Sequence, residues 1–379
     1  MAVPYWRLSA FYACYFAILG SIVPFWSLYL KHVGFNPSEI GQLTALIVAT
    51  KIIAPNLWGW LADKTGRRLR LIRITSLLSA ALFCGFLYRQ QYWWFAGVTV
   101  AFSFFWNASL PQFEAATLFH LQEATHRYSR IRLWGSLGFI AAVLGIGQLL
   151  DTVSIAYLPY LVIILLLLNW LLSLITPEAG HINPPARRGS LGEILRQPEV
   201  ICFFLVYMLL QVAHGPYYVF FSVYLKQHGY SASFTGQLWA LGVCAEIVMF
   251  LLAGRLLRWF SVRGLLLSSL LLSTVRWLLI AYAVDSLEWL LIAQLLHAAS
   301  FGITHVVAMQ LLLKYFGASH QGKGQAFYSS LSFGCGGMIG SLYSGYLWDS
   351  LGGSAVFVIA AGASALAFIL AAAKVARIK

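Results

Sequence analysis

The sequence predicts an all-α polytopic membrane protein with twelve transmembrane helices arranged as two pseudo-symmetric six-helix halves. Of its residues, 60% are apolar and only 10% are charged, whereas a soluble domain needs about 25% charged residues to cover its surface. A transmembrane helix requires roughly 20 predominantly apolar residues. The 379 residues therefore accommodate about a dozen spans with short loops, and little sequence is left for a soluble domain.

Long, continuous apolar runs place these helices in order along the chain. Runs of this length are typical of spans whose backbone groups are all bonded within one helix. The predicted helices are residues 8–30, 37–62, 69–88, 92–120, 131–150, 155–176, 199–225, 234–259, 264–284, 287–313, 324–348 and 354–373.

The distribution of basic residues predicts which side of the membrane each loop faces. With the N-terminus inside, twenty of the 25 lysines and arginines fall on the cytoplasmic side and three on the outer side. Such an excess is the positive-inside pattern. We therefore expect both termini in the cytoplasm, and we attribute the net charge of +13 to membrane orientation and not to nucleic-acid binding.

A polar linker and an internal repeat predict two halves. Residues 177–198 are the only long polar segment and contain four prolines, which indicates a linker between residues 1–176 and 199–379. Residues 27–46 align without gaps on residues 222–241, at an offset of 195. Parallel repeats of this kind build a large class of transporters, whose substrate site lies between the halves.

The repeat relates two opposite charges. The same offset maps Lys51 onto Glu246. Their positions predict an ion pair between the halves across a central cavity. The alternative is that each residue is satisfied separately within its own half.

The end of the second helix carries a motif with a predicted conformational role. Gly59 permits close helix approach, and Gly66 permits a tight turn. Asp63 is followed by Arg67 and Arg68, so charge pairs can form and break as the cytoplasmic side opens. The alternative is a simple basic loop that stops translocation.

Two charges stand in apolar runs around the turn between the fourth and fifth helices. Glu114 and Arg132 are 18 residues apart, so a hairpin turning near Glu123 places them at the same depth. Ionisable residues inside a membrane helix are functional-site hypotheses by default. The alternative is that Arg132, close to Arg127 and Arg130, anchors the helix at the inner face.

Four histidines lie within or near the ends of predicted helices: His120, His214, His297 and His305. His214 precedes Gly215-Pro216, which predicts a break in the helix that exposes backbone groups to a ligand. His297 and His305 are eight residues apart, so they lie on one face of their helix. Histidine titrates near neutral pH and shuttles protons. The alternative is that each histidine forms hydrogen bonds between packed helices.

On these motifs, the chain resembles the major facilitator superfamily, and within it the lactose-permease-like branch. The resemblance rests on residues 59–68 after the second helix, on the two halves, and on three N-terminal stretches: residues 24–26, 111–114 and 130–135. It implies that Glu114 and Arg132 hold the substrate.

The same resemblance implies a proton-coupling network that includes Arg276 and His297. The chain departs from the branch at Ser300, where that branch has its coupling carboxylate. The lysine that this branch carries in its eleventh helix has no counterpart in the chain. Glu246 lies about one turn from the position at which the branch carries an acid in its eighth helix. Lactose-type coupling therefore does not transfer directly.

A closer resemblance is to the 3-phenylpropionate permeases of Gram-negative bacteria, on residues 211–220, 229–250, 274–277 and 294–309. It implies proton-coupled uptake of 3-phenylpropionate or a similar aromatic monocarboxylate, by alternating access, across the bacterial inner (cytoplasmic) membrane. Arginine binds a carboxylate through two parallel hydrogen bonds, and aromatic side chains stack on an aryl ring.

These arguments assign the candidate site residues. The substrate-binding candidates are Arg132, Glu114, His214, Tyr217, Tyr218, His297 and Tyr15. The proton-coupling candidates are Glu114, Glu246, His297, Arg276 and His305. The five cysteines lie in apolar runs without metal-ligand spacing. We expect a monomer in the lipid bilayer that binds its substrate and protons and needs no cofactor or metal.

The sequence is also compatible with other functions. The resemblance to the lactose-permease-like branch implies that such a glutamate–arginine pair also binds hydroxyl-rich ligands, so a proton symporter for a sugar or nucleoside is the main alternative. An exporter is a further alternative, because direction follows from gradients. A membrane enzyme would need nucleophile or metal motifs, and the sequence contains neither HExxH nor GxSxG.

Overall fold

The computed structural model describes residues 3–122, 124, 127–178 and 191–374, apart from the side chains of residues 318 and 319. Every regular element among these residues is helical. The turn predicted near Glu123 and most of the predicted linker, residues 179–190, lie outside the described residues.

Six long helices form the first part of the chain, close to their predicted positions. Short 3₁₀ turns follow the third helix, at Cys84–Leu87, and precede the sixth, at Ile155–Tyr157. The helices are α1 (Tyr5–Val33), α2 (Pro37–Thr65), α3 (Arg68–Phe83), α4 (Tyr92–Leu121), α5 (Tyr128–Leu150) and α6 (Leu158–Ile175).

The second part continues with one short helix and six longer ones. They are α7 (Leu191–Leu195), α8 (Pro198–Gln227), α9 (Ala232–Trp259), α10 (Val262–Tyr282), α11 (Leu287–Leu295), α12 (Thr304–Tyr328) and α13 (Gly337–Lys374). Two π-helical segments, Ala298–Ile303 and Ser329–Gly336, join α11 to α12 and α12 to α13.

Single glycines replace the loops that the sequence predicts near the end of the chain. Gly317, with φ 58° and ψ 179°, interrupts the helical backbone within α12. Gly352, with φ 82° and ψ 161°, does the same within α13. Both lie in the left-handed region that favours glycine. The chain therefore turns at these residues without a longer loop.

The lengths and composition of the helices are those of a polytopic membrane protein. Ten helical stretches of the described residues are long and apolar enough to cross a membrane, and the last of them, His320–Lys374, contains the Gly352 interruption. The prediction of an all-helical membrane protein is confirmed for the described part of the chain. The count of twelve spans stays a prediction.

The internal contacts divide the chain into two units. The first unit contains Met1–Pro184 and Ser231–Gln237, and the second contains Pro185–Tyr230 and Leu238–Lys379. In the first unit, α1 packs against α5 and α6, and α4 packs against α2 and α3. Gly138 permits the approach of α5 to α1, because a Cβ atom there would lie 2.0 Å from the Ala13 carbonyl oxygen.

Asp151 explains why residues 231–237 group with the first unit. Its carboxylate, just after α5, accepts hydrogen bonds from the backbone N–H groups of Ala232 at 2.9 Å and Ser233 at 3.3 Å. Hydrogen bonds from Ser233 and Ala232 hold the pKa of the Asp151 carboxyl below its ordinary value. A carboxylate at this position also complements the positive N-terminal end of α9.

In the second unit, α8 packs against α13 through backbone contact. A Cβ atom at Gly215 would lie 2.3 Å from the backbone carbon of Gly340. The break predicted at Gly215-Pro216 is wrong, because α8 is continuous from Pro198 to Gln227. Pro216 frees the carbonyl of Val212, and that oxygen lies 2.8 Å from a Cβ atom built at Gly340.

The close approach at Gly215 predicts a stability defect. We expect Gly215→Ala to lower the free energy of unfolding by about 1–3 kcal/mol, because its methyl group has no space against Gly340. The matched control is Gly362→Ala, since a Cβ atom at Gly362 meets nothing within 4 Å. The thermal unfolding midpoints of the purified proteins in detergent measure both. Equal midpoints for the two variants would contradict the packing account.

Candidate functional site

Two clusters of polar and aromatic side chains stand out, one in each unit. The Arg132 cluster, in the first unit, comprises Tyr12, Tyr15, Phe16, Trp106, Glu114 and Arg132. The His297 cluster, in the second, comprises His214, Tyr217, Tyr218, Glu246, Arg276, Gln294, His297 and Ser300. Within the described residues, no group of three or more His, Cys, Asp or Glu side chains is placed to hold a metal ion.

The Arg132 cluster is built on a loose ion pair. Glu114 on α4 and Arg132 on α5 approach to 4.0 Å between Oε1 and Nε, with side chains 37% and 30% exposed. This distance exceeds that of a hydrogen bond, so the attraction is electrostatic. The guanidinium therefore retains N–H groups that can bind another acceptor.

The guanidinium of Arg132 rests on aromatic rings of α1. Its Cζ atom lies 3.9 Å from the ring centroid of Phe16 and 5.7 Å from that of Tyr12. Gly135, one turn after Arg132, leaves the space for this arrangement, because a Cβ atom there would lie 2.7 Å from Arg132 Nη1. Sequence reasoning missed the role of Phe16. A glycine three residues after the arginine was the available signal.

A stacked aromatic pair borders the two charges. Tyr15 on α1 and Trp106 on α4 stack with centroids 5.3 Å apart, and both are almost fully buried. Tyr15 also lies within electrostatic range of Glu114 and Arg132. The substrate-binding candidates of the first half, Tyr15, Glu114 and Arg132, therefore lie together in the Arg132 cluster.

The His297 cluster contains a close histidine–carboxylate contact. His297 Nε2 lies 2.5 Å from Glu246 Oε1, and both side chains are largely buried. Gly242, one turn before Glu246 on α9, lets the histidine ring approach, because a Cβ atom there would lie 3.2 Å from its Cδ2 atom. Glu246 thus has a partner in its own unit. The predicted pair with Lys51 stays a prediction.

The side chain of Arg276 is fully buried, and residues of its own unit stabilise its positive charge. Its Nε donates to the Ala293 carbonyl and its Nη1 to Ser300 Oγ, each at 3.0 Å. Its Cζ atom lies 4.3 Å from the Tyr217 ring centroid and 4.4 Å from that of Trp277. A hydroxyl and two aromatic rings therefore surround the cation, and Ser300 contacts it where the related branch has an acid.

The remaining candidate residues of the second half lie around this arginine. His214 Nδ1 bonds the Leu210 carbonyl at 2.7 Å, and its ring lies 5.7 Å from the Tyr218 ring and 6.2 Å from the His297 ring. The ring of Phe301 stacks on His297 and on His305, at centroid distances of 5.7 and 6.2 Å. The two histidines therefore share one face, as their spacing predicts.

The glycine and charge motif of residues 59–68 forms a small network at the end of α2. Arg68 Nη2 lies 2.6 Å from Asp63 Oδ1, and its Nη1 donates to Gln112 Oε1 at 2.8 Å. Gly66 adopts the left-handed conformation, with φ 64°. Gly59 faces Gln112, with a built Cβ atom 3.3 Å from Nε2. Sequence reasoning missed Gln112, which connects the motif to α4 two residues before Glu114.

The fold and these clusters can now be compared with known proteins. The model of the MFS_1 like family matches residues 5–359. The chain belongs to this family. MFS_1 like proteins are major facilitator transporters and not enzymes, so the chain is a membrane transporter of small molecules.

Two relatives and one solved structure are similar over nearly the whole chain. A protein described as a probable 3-phenylpropionic acid transporter of Escherichia coli (strain K12) is 30% identical over 93% of each chain. The maltose permease of Geobacillus stearothermophilus is 29% identical over 89% of this chain and 86% of the permease. The crystal structure of nucleoside transporter NupG has a TM-score of 0.84 at 18% identity, over 99% of each chain, which supports the fold.

The Arg68 network predicts a difference between two adjacent arginines. We expect Arg68→Gln to lower the free energy of unfolding by about 1–2 kcal/mol, because it removes a charged donor shared by Asp63 and Gln112. The control is Arg67→Gln, since Arg67 is exposed; its effect should stay within about 0.5 kcal/mol. Chemical denaturation of the purified proteins measures both. Similar losses for both arginines would rule out a specific role for Arg68.

Proposed function

We propose that this MFS_1 like protein takes up 3-phenylpropionate, or a similar aromatic monocarboxylate, together with a proton. The observation that carries the proposal is the loose Arg132–Glu114 pair beside stacked aromatic rings. The similarity to the Escherichia coli relative described as a 3-phenylpropionic acid transporter supports the substrate class.

The proposal includes the arrangement in the membrane. The chain spans the bacterial inner membrane twelve times, with both termini in the cytoplasm. Residues 177–198 join its two halves, residues 1–176 and 199–379. The two halves move so that the substrate site opens first to one side of the membrane and then to the other. The protein acts as a monomer and needs no cofactor. The cytoplasmic excess of lysine and arginine supports this orientation.

Arg132 binds the substrate carboxylate in this mechanism. Its planar guanidinium matches the geometry of a carboxylate, which a lysine does not. Phe16 holds the guanidinium in place. The aryl ring of the substrate then packs against Tyr15 and Trp106, whose flat stacked rings offer an apolar surface.

Substrate binding changes the charge of Glu114. The substrate carboxylate competes with Glu114 for Arg132, and a carboxylate that loses its counter-ion favours the neutral, protonated form. Neutral Glu114 and the substrate-paired Arg132 then carry no net charge between them. The cluster can change its access without moving an unpaired charge through the apolar interior.

The His297 cluster supplies the second proton-binding group. Glu246 and His297 share a short contact, and a proton taken up by either is stabilised by the other. The positive charge of Arg276 lies in the same buried cluster, so the pair responds to the charge around it. His214, Tyr217 and Tyr218 line this region, and His305 extends it along α12.

The pair of Asp63 and Arg68, at the turn that Gly59 and Gly66 permit, acts as a cytoplasmic latch in this proposal, and Arg67 lies beside it. Its strongest support is the 2.6 Å contact between Arg68 and Asp63, at a partly exposed site. Exposed pairs cost little to break. Such a latch can therefore open and close during each transport cycle.

A sugar or nucleoside is the second candidate substrate class. The likeness to a maltose permease supports it. A thermal-shift screen of the purified protein against 3-phenylpropionate, maltose and uridine separates the classes. Stabilisation by the aryl acid alone supports an aromatic monocarboxylate. Stabilisation by maltose or uridine alone would favour the second candidate.

Replacing Arg132 tests the carboxylate clamp directly. In proteoliposomes with an inward proton gradient, we expect Arg132→Ala to weaken uptake of labelled 3-phenylpropionate by about 10- to 100-fold, because a charged, bidentate contact is lost. The matched control is Arg130→Ala, an exposed arginine on the same helix, which should retain uptake.

Two outcomes would contradict this proposal in different ways. Normal uptake by Arg132→Ala excludes the clamp. Wild-type uptake that is unchanged when a proton ionophore collapses the gradient excludes proton coupling. Loss of uptake in both arginine variants points to a general requirement for charge at the start of α5.

A further inference from the structure

The His297 cluster contains four buried polar atoms whose hydrogen bonds are not made by any described residue. They are Arg276 Nη2, Gln294 Nε2, His214 Nε2 and His297 Nδ1. All four residues are at most 5% exposed. A buried polar atom left without a hydrogen bond destabilises the fold, so four such atoms in one cluster require a common explanation.

Hydrogen bonding fixes which of the two histidine nitrogens carries the proton. His214 Nδ1 lies 2.7 Å from the Leu210 carbonyl, which only accepts, so Nδ1 is the donor. His297 Nε2 lies 2.5 Å from the Glu246 carboxylate, so Nε2 is the donor there. A neutral imidazole has a single N–H. His214 Nε2 and His297 Nδ1 are therefore both bare acceptors.

The four atoms are two acceptors and two donors. The bare nitrogens of His214 and His297 accept, whereas Arg276 Nη2 and Gln294 Nε2 donate. Both donors are held in place: Arg276 by Ala293 and Ser300, and Gln294 by the Tyr217 hydroxyl at 3.0 Å. A buried water molecule makes about three such bonds, to donors and acceptors alike.

The distance between the two histidine rings also fits a bridging group. Their centroids are 6.2 Å apart, which is too far for a direct hydrogen bond between ring nitrogens. A separation of this size matches two hydrogen bonds through one bridging water molecule. The ring of His214 is fixed by stacking on Tyr218 and by an edge contact with Trp277, at 5.7 and 5.0 Å.

We propose that a bound water molecule joins His214 to His297 and completes a proton relay that ends at Glu246. A proton on His214 Nε2 passes to the water oxygen, and a water proton passes to His297 Nδ1. The proton of His297 Nε2 then passes to Glu246. One proton has moved, Glu246 is neutral, and His214 Nε2 is bare again. The inference rests on the proposed proton coupling.

The surrounding charges allow one proton at a time. The polar groups around the two histidines are Tyr217 and Tyr218 from α8, Glu246 from α9, Arg276 from α10 and Ser300 from the π-helical segment, and His305 from α12 lies beyond the ring of Phe301. Because Arg276 is permanently positive, two protonated histidines beside it would repel. Glu246 balances one added proton.

The backbone conformation directly after His297 supports a functional role for the His297 cluster. The π-helical segment Ala298–Ile303 begins directly after His297. Such wide turns are rare and occur frequently at functional sites. Within this segment, the Ser300 hydroxyl accepts a hydrogen bond from Arg276 Nη1. Nη2 is then the nitrogen of this guanidinium that donates to no described residue.

His214→Gln separates a relay from a structural role. A glutamine amide reaches the position of Nε2 and can bond water, but it neither gains nor loses a proton near neutral pH. We expect gradient-driven accumulation by this variant to fall by about tenfold or more relative to its own substrate counterflow, because counterflow needs no net proton movement. The matched control is His32→Gln, since His32 is exposed at the end of α1; it should behave as wild type.

Undiminished accumulation by His214→Gln would overturn the relay while leaving the proposed transport intact. Absence of gradient-driven accumulation in the wild type would instead refute proton coupling itself. If His214→Gln does not fold, a measurement on the wild-type protein tests the relay instead. Solid-state NMR of protein with ¹⁵N-labelled histidine should show bare nitrogens on His214 and His297 that receive magnetisation from a bound water. Protonated nitrogens at these positions, or no transfer from water, would overturn the proposal.

Discussion

Charge compensation inside apolar helices is the constraint on which the structure depends. An ion moved out of water costs several kcal/mol unless partners surround it. In the first unit, Arg132 lies close to Glu114 and rests on Phe16. In the second unit, Arg276 is held by Ser300 and by aromatic rings. In each unit, aromatic rings lie against the guanidinium group, and we propose that an anion or a proton changes the remaining charge balance.

Glycines set the positions from which these partners act. Gly135 leaves room for the guanidinium of Arg132, and Gly242 for the ring of His297. Gly215 lets α8 meet α13 through backbone atoms, which brings His214 into its buried place. The electrostatics of both clusters therefore depend on helix packing, and a methyl group at these positions would move a charge.

Hydrophobic length and residue spacing predicted much of the fold. Long apolar runs located the helices, because burial in lipid demands them, and the eight-residue spacing predicted the common face of His297 and His305. The predicted break at Pro216 was wrong, because close packing of α13 compensates for the freed carbonyl. Gly317 and Gly352 replaced loops, because one left-handed residue is enough to turn the chain.

Partners across helices were harder to predict than positions along them. Periodicity identifies the face on which a residue lies but not the helix that packs against that face. The contact between Glu246 and His297, the support of Arg132 by Phe16 and the bond from Arg68 to Gln112 all depend on such packing. The Arg276–Ser300 bond is a further example, since the resemblance to the lactose-permease-like branch implied only a serine at the position of that branch's acid.

The central proposal is that an anionic substrate and a proton bind together, because the proton neutralises the extra negative charge that the bound substrate brings. Its most direct test is the change in pH when 3-phenylpropionate is added to the purified protein in weakly buffered solution. The account predicts about one proton taken up for each molecule bound, at a pH where the free acid is ionised. Binding without proton uptake, or with proton release, would contradict it.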